Sequence, residues 1–448
     1  MDESRRPTRI ANALPGETIA ACDVSIKRHR QAYLQEVAAP SPDRCEPRCS
    51  QWRRCPACQF QCLPIESQEV LKKGNWIRLI QKFVDIPESC RVEFLPAIQH
   101  TGYRHRTDAV VFSRSSGPII GIAPRLDAAA YEVLQHAQEQ NIADFDLSAL
   151  EAEDIFAFGY LQPIELCSCL LHAPELNALI AATQNKIRAF DIPGNTRLGF
   201  EAFGQNGRIT FYAMPEMASQ VRRIAQELCG EPGISVIFQE LPPKGSHVYP
   251  RPECLTESPW YCYTTDIRKD PLYALKGAWT PVNPNNAALI RSTLSDMARD
   301  MEFTDFLEIG CGCGTHTSVF AQHCRNYTGI DASWPAIQSA QYNASCNHWQ
   351  NAVFYTDTAE HYLDKRYYSG RRSDGILMHS NRMPYSAKTA QLCKRFGAAT
   401  IFIVAPTAYA MAMECRHFTE IGYRLDRLTL CDTLPMTYHM MAVAKLSR

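Results

Sequence analysis

Two stretches of this chain carry residue types whose spacing suits chemistry. One is Cys49-x5-Cys55-x2-Cys58, in a polar loop rich in Pro and Arg with Cys45 and Cys62 beside it. Thiols this dense, with little apolar sequence to pack into, suit thiolate ligation. Zinc and an iron–sulfur cluster each take four such sulfurs, and composition does not choose between them. The other stretch runs from Phe306 to Phe320, where an apolar strand opens onto Gly310, Gly312 and Gly314. Alternate glycines let the backbone turn tightly and approach a ligand of nucleotide type before a helix begins. The dinucleotide fingerprint needs Gly-x-Gly-x-x-Gly, and Thr315 or Thr317 stands where its third glycine would be.

The surrounding elements follow from the apolar pattern. Segments 327–331 and 352–357 read as the next two strands, ending in Asp331, which suits ribose hydroxyls, and in Asp357. Helices are expected over 68–83, 174–190 and 335–347, and paired strands over 110–122. Asn206-Gly207 suits a hairpin turn, and 128–150 reads as a helical insertion. With 448 residues, 46% of them hydrophobic, the chain can build two or three cores. A net charge of −1 leaves any nucleic-acid contact to local basic groups such as Arg104 and Arg106. Nineteen cysteines without a signal peptide point to a reducing cytoplasm. The longest apolar run, 396–413, contains Thr400, Pro406 and Thr407, and reads as strand, loop and helix rather than a membrane span. A soluble, cytoplasmic monomer without a membrane partner is expected.

Strand, glycine turn, helix, strand and Asp resemble the S-adenosylmethionine (AdoMet) site of a class I methyltransferase. Ser41-Pro-Asp-Arg44, the Cys-x5-Cys-x2-Cys-Gln-x-Gln run ending at Gln61, and Gly102-Tyr103-Arg104 narrow the resemblance. Together they are similar to the iron–sulfur RNA uracil-C5 methyltransferases, which make 5-methyluridine in ribosomal and transfer RNA, over nearly the whole chain. The resemblance implies an α/β protein with a C-terminal class I, Rossmann-like methyltransferase domain (276–448) and a central α+β domain (63–275). It places a cysteine loop at 40–62 and a partial TRAM-like β segment at 1–39. That last segment is carried by the turn Ala13-Leu-Pro-Gly-Glu17; the first strands of such a barrel are missing, so either the barrel is incomplete or the true start lies upstream. A [4Fe–4S] cluster is implied on Cys49, Cys55, Cys58 and Cys169, with Cys167 as the runner-up for the fourth position. AdoMet is implied at Gly310, Gly312, Gly314, Asp331, Asp357 and Asn283, and structured rRNA or tRNA as the partner. Asn283 keeps the last place of the family's Phe-x-Gln-x-Asn motif, read here as Trp279-Thr-Pro-Val-Asn283, and Asn343 keeps another family position.

The family's reaction is demanding because C5 of uracil is a poor nucleophile. A cysteine thiolate adds to C6, C5 attacks the methyl group, and a base then removes the C5 proton. In this chain the family's Asp-Pro-Pro-Arg loop reads His379-Ser-Asn-Arg382. In its Ser-Cys-Asn-Pro loop the cysteine becomes Val404 if Pro406 matches the proline, or Pro406 if Gly422-Tyr423 sets the register. The glutamate two residues after His439 becomes Met441. Cys415 and Cys431 read as helix and core thiols, so none of the catalytic residues is retained. An RNA-binding relative without 5-methyluridine chemistry is one expectation. Another is a methyltransferase acting on a nitrogen or oxygen, with His379 or Asn381 positioning the acceptor. Redox chemistry at Cys45 and Cys62 is a third.

Overall fold

Three strands open the chain: β1 (Arg9–Ala11), β2 (Thr18–Ile26) and β3 (His29–Ala39), in the order β1-β3-β2. The turn before β2 is closed by Glu17, whose carboxylate accepts from the backbone N–H of Leu14 (2.7 Å) and Ser41 (3.2 Å) and pairs with Arg44. This computed structural model describes residues 9–26, 29–113, 117–124, 163–242, 250–265 and 270–448, so the insertion expected over 128–150 lies outside the described residues. Beyond the cysteine loop come α1 (Ile65–Ile80) and β4 (Arg91–Leu95), whose partners lie in the last third of the chain.

The central sheet uses β5 (Arg106–Phe112), β6 (Ile119–Ile122) and β7 (Ile164–Glu165), then α2 (Pro174–Ile187) leads to β8 (Arg197–Phe203) and β9 (Asn206–Ala213). After α3 (Ala218–Glu227) it is completed by β10 (Ile234–Glu240) and β11 (Glu253–Cys254), in the order β11-β10-β9-β8-β5-β6-β7. Leu176 and Ile180 of α2, with Val221 and Ile224 of α3, bury one core with Phe200 and Phe211 of the sheet. The β8–β9 hairpin turns at Gly204-Gln205, two residues before the expected Asn206-Gly207, since Phe203 pairs with Asn206. Gly204 supplies the positive φ (+58°) the turn needs. Gly207 serves packing instead, as a Cβ there would come within 2.7 Å of Ile234 Cδ1.

A two-stranded ribbon, β12 (Tyr261–Tyr263) and β13 (Leu272–Ala274), leads into α4 (Pro284–Ala298) and the last domain. There β14 (Phe303–Ile309), α5 (Thr317–Ala321), β15 (Cys324–Asp331), α6 (Trp334–Cys346) and β16 (Ala352–Thr356) form one half. The other half is α7 (Ala359–Tyr368), β17 (Gly375–His379), α8 (Ala387–Arg395), β18 (Thr400–Ala405), α9 (Ala408–Thr419), β19 (Arg424–Cys431) and β20 (Met441–Ser447). The sheet runs β16-β15-β14-β17-β18-β20-β19-β4, and β20 is antiparallel to both its neighbours. Chain order reverses at β14, which opens a crevice at the carboxyl ends of β14 and β17, the usual ligand position in open α/β sheets. The apolar run over 396–413 becomes β18, a turn and the start of α9, and among the described residues no helix is long and apolar enough to cross a membrane.

One boundary moves. β4 pairs with β19, and Trp76 and Ile80 of α1 share a core with Met411 and Phe418 of α9. Residues 65–95 therefore belong to the C-terminal sheet rather than to the central domain. The amphipathic pattern announces that such elements bury a face, but not against which sheet.

Candidate functional site

β14 delivers the chain into the glycine loop, where Gly310, Gly312 and Gly314 all take positive φ (+75°, +55° and +83°). The three do different work. A Cβ on Gly310 would meet the carbonyl oxygen of His379 at 2.7 Å, and one on Gly314 would meet the Trp349 ring at 3.1 Å. Gly312 would meet nothing within 4 Å, so its open side faces space a ligand can enter. Under the loop, Glu308 is fully buried; burial raises its carboxyl to about 8, although the Tyr327 hydroxyl donates to it. Asn343 bolts the loop down by donating to the carbonyls of Cys313 (2.8 Å) and Tyr273 (2.9 Å).

The two acidic strand ends arrive beside this loop. Asp331 accepts from Gly312 N (3.0 Å) and Ser333 N (2.8 Å), which fixes its carboxylate against the loop. Asp357 lies on the next strand end, its backbone N–H donating to the Asp331 carbonyl (3.0 Å), and one of its oxygens holds Thr358 N and His361 Nδ1. Asn283 differs from expectation. Its side-chain oxygen caps α4 through Asn286 N (3.0 Å) and its amide donates to the Thr433 carbonyl (2.9 Å). Both ends of the amide are engaged in holding the start of α4 and the segment at Thr433.

The carboxyl edge of the sheet continues through β17, β18 and the start of β20, where His379 pairs with Val404, Ala405 with Ala442, and Met441 with Cys431. His316, on the glycine loop, stands with its ring 5.5 Å from that of His379, and Trp279 meets His379 edge-on at 5.7 Å. Burial lowers His379 to about 4 and carries His316 well below the usual histidine range, so both imidazoles are neutral. Nδ1 of His316 is buried without a hydrogen-bond partner, while the Trp279 ring is 47% exposed. His316 was not singled out by the sequence; its only signal is its place two residues after Gly314. The following loop is clasped by Glu414, which accepts from Ser380 Oγ (2.6 Å) and Tyr385 N (2.8 Å).

The cysteines lie against the C-terminal segment around Met436. Cys49, Cys55 and Cys169 all lie within electrostatic reach of Cys58, whose thiol burial raises to about 12. The fourth comes from far along the chain because Arg104 bridges to His172, with Gly102 N donating to Leu170 O (3.0 Å) and Arg104 N to Leu171 O (2.7 Å). Cys167 instead packs against the central core. Gln61 Oε1 accepts from Cys49 N (3.2 Å), and the backbone of Gln59 and Phe60 donates to Met436 O, which seats the loop against the C-terminal segment. Among the described residues, no three Cys, His, Asp or Glu are set closely enough to hold a single metal ion. Lys72 on α1 completes the junction: fully buried, it pairs with Asp432 (2.7 Å) and donates to Leu434 O (3.0 Å). Burial, with Arg382, Lys72 and Arg104 nearby, holds the His439 imidazole below its usual range.

This geometry has close counterparts. A methyltransferase-domain family matches residues 302–417. A 23S rRNA (uracil(1939)-C(5))-methyltransferase of Vibrio parahaemolyticus is 22% identical over 98% of this chain and 91% of its own length. An uncharacterized RNA methyltransferase of Listeria innocua is 21% identical over 98% and 92%. The solved tRNA (uracil-54, C5)-methyltransferase of Pyrococcus abyssi superposes over 98% of this chain and 95% of its own, with a TM-score of 0.68 at 16% identity. The chain is thus similar over nearly its whole length to RNA uracil-C5 methyltransferases, and it shares the fold of one of them.

In an RNA uracil-C5 methyltransferase, the Asn-Pro of the Ser-Cys-Asn-Pro loop suits a helix cap followed by the first helical residue. Here the cap of α9 is Thr407, whose hydroxyl accepts from Ala410 N (3.1 Å), and Ala408 follows it. Matching the family's Asn to that cap would set Pro406 opposite the family's cysteine, and matching its proline to Pro406 would set Val404 there. Val404 lies inside β18, buried in the core with Phe402 and Val443. Cys431 is also fully buried, its thiol beside Thr293, and Cys415 packs in the core on α9 with its Sγ 3.6 Å from Met411 Sδ.

Proposed function

We propose that this protein binds structured rRNA or tRNA and AdoMet, carries a [4Fe–4S] cluster, and does not make 5-methyluridine. One comparison of motifs carries the reading: matched to the family's loops, the places of its first carboxylate, thiol and second carboxylate fall on His379, on Val404 or Pro406, and on Met441. Without a thiolate to add at C6, C5 of uracil lacks the electron density to attack a methyl group, and without a carboxylate its proton has no acceptor.

Cofactor binding is supported by the open side of Gly312, by the fixed carboxylate of Asp331 and by Asp357 beside it. The Pyrococcus abyssi relative was solved in complex with S-adenosyl-L-homocysteine. Bound AdoMet supplies a methyl group on a sulfonium; Gly310 and Gly314 set the loop's path, and Asn283 and Asn343 hold its frame. For the cluster, Cys49, Cys55 and Cys169 lie near Cys58. Four thiolates suit either a [4Fe–4S] core or zinc, and the resemblance to the iron–sulfur family favours the cluster. The cluster would tie residues 40–62 to the segment around Cys169. RNA is supported by the names of the relatives and by Arg104 and Arg382 around His439.

A second reading draws on His316 and His379. Neutral imidazoles beside an open indole suit a flat ring bearing an N–H, whose nitrogen attacks the methyl carbon with its own lone pair. The N–C bond then forms as the sulfonium S–C bond breaks, and the nitrogen's proton passes to an imidazole or to water.

The test is methyl transfer from labelled AdoMet to RNA from cells lacking the gene, with digested nucleosides identified by mass spectrometry. The proposal expects no labelled 5-methyluridine. A labelled N- or O-methylated nucleoside would select the second reading, and labelled 5-methyluridine would overturn both.

A further inference from the structure

The glycine loop and the ends of β17, β18 and β20 occupy the carboxyl edge of the C-terminal sheet. At the opposite edge, where α7 ends and the chain enters β17, lies the run Lys365-Arg-Tyr-Tyr-Ser-Gly-Arg-Arg372. β17 is five residues long, so roughly 16 Å of strand separates this run from His379. Its aromatic and cationic groups are stacked together. The guanidinium of Arg395, at the end of α8, lies 4.0 Å from the centre of the Tyr367 ring and 5.3 Å from that of Tyr368. Arg372 lies 4.2 Å from the Tyr367 ring. The two rings meet edge-on at 5.7 Å, and Tyr368 is 74% exposed.

Charge here is not balanced within the protein. Arg372 and Arg395 share the Tyr367 ring, and Arg371 adjoins them in the chain. Among nearby acids, Asp364 reaches Arg395 only at 3.8 Å, Glu360 is taken by Lys388 (2.9 Å), and Asp374 accepts from the backbone N–H of Thr304 and Asp305. Two guanidiniums held near one ring repel each other, and an anion between them relieves that cost. An aromatic face left in water beside them offers a surface on which a base can stack. A lipid surface would match the charge, but a run of phosphates alternating with flat rings matches both features.

We propose that this patch is a docking platform for single-stranded RNA, with Arg371, Arg372 and Arg395 meeting phosphates and Tyr368 stacking on a base. It goes beyond the cleft and rests on RNA being the partner. RNA that reaches both edges must span the sheet, so a strand flanking the bound structure would lie here.

The experiment is fluorescence anisotropy with a labelled, unstructured RNA of about 12 nucleotides, repeated across a salt series. Wild type is compared with Arg372→Gln/Arg395→Gln and with Tyr368→Ala, and thermal unfolding and AdoMet titration show whether each variant is folded. The double variant is expected to bind about 10-fold more weakly with a salt slope shallower by about 1.4, two phosphate contacts on a single strand. Tyr368→Ala is expected to lose about 5-fold or more with an unchanged slope. Wild type binding with both variants equal to it would overturn the platform and leave the RNA reading intact. Wild type failing to bind any RNA, including structured tRNA and rRNA fragments, would overturn that reading and the platform with it. Preferential binding to phosphatidylglycerol vesicles, lost in the same variants, would replace RNA by a membrane and also overturn the proposal.

Discussion

The ends of β14 and β15 and the ends of β17, β18 and β20 lie along one edge of one sheet, yet they carry different chemistry. At the first pair, glycines of positive φ and Asp331 keep the residue types that a methyl-donor site needs. At the second set, under the proposed match to the family's motifs, a histidine, a proline or valine, and a methionine would stand where thiol and carboxylates act. The structure also shows why keeping a glycine loop is not by itself a sign of use. Gly310 and Gly314 are required by their contacts with His379 and Trp349 whether or not a ligand binds, and only Gly312 is free of such a demand. Binding and reaction are thus separable along a few strand ends, and Gly312 is the residue that reports on binding.

The largest expected effect concerns the junction between α1 and the segment after β19. Lys72→Met leaves Asp432 buried without its cation, and chemical denaturation should show a loss of about 3–5 kcal/mol. If the loss is under 1 kcal/mol, water reaches that carboxylate and the cleft is looser than described. Gly310→Ala should cost about 2–3 kcal/mol, combining a left-handed alanine with a clash against the His379 carbonyl. An equilibrium unfolding curve is enough to measure it.

Next comes pH. His379 is lowered by burial from about 6.5 in the unfolded chain to about 4 in the fold. Its contribution is therefore complete above about pH 6.5 and is lost as pH falls toward about 4, because the unfolded chain then takes up the proton first. At pH 5 the loss is roughly 2 kcal/mol, and His379→Gln should flatten the slope of stability against pH in that window by this amount. Raised Glu308 acts with opposite sign, losing stability as pH rises toward about 8, so the variant and wild type must be compared at each pH. The smallest effect on stability separates binding from packing. Gly312→Ala meets no neighbour and should cost only about 1 kcal/mol, for its φ of +55°. Yet its AdoMet affinity by calorimetry should fall by at least about 10-fold, since the new methyl group enters the ligand's space. An unchanged affinity would remove Gly312 from the site.

Much of this was legible in the chain. The strand, glycine turn and acidic strand ends carry their geometry locally, because φ above zero selects glycine and apolar runs select strands. The convergence of Cys169 on the cysteine loop was legible only through resemblance, since no local pattern joins positions so far apart. Three features were not legible. Residues 65–95 joined the other sheet because amphipathic spacing does not name its partner. Asn283 became a helix cap and tie because an asparagine before Pro284 suits both roles. Lys72 and Asp432, 360 positions apart, pair through packing alone.

The central claim is that no nucleophile attacks C6 of uracil here. RNA carrying 5-fluorouridine tests it directly, because fluorine at C5 cannot leave as a proton does. A protein that adds a thiolate and transfers a methyl group therefore stays bonded to the RNA. After incubation with such RNA and AdoMet, then denaturation, intact mass spectrometry should find only free protein. A methylated protein–RNA adduct, mapping to Cys431, Cys415 or any other thiol, would contradict the account.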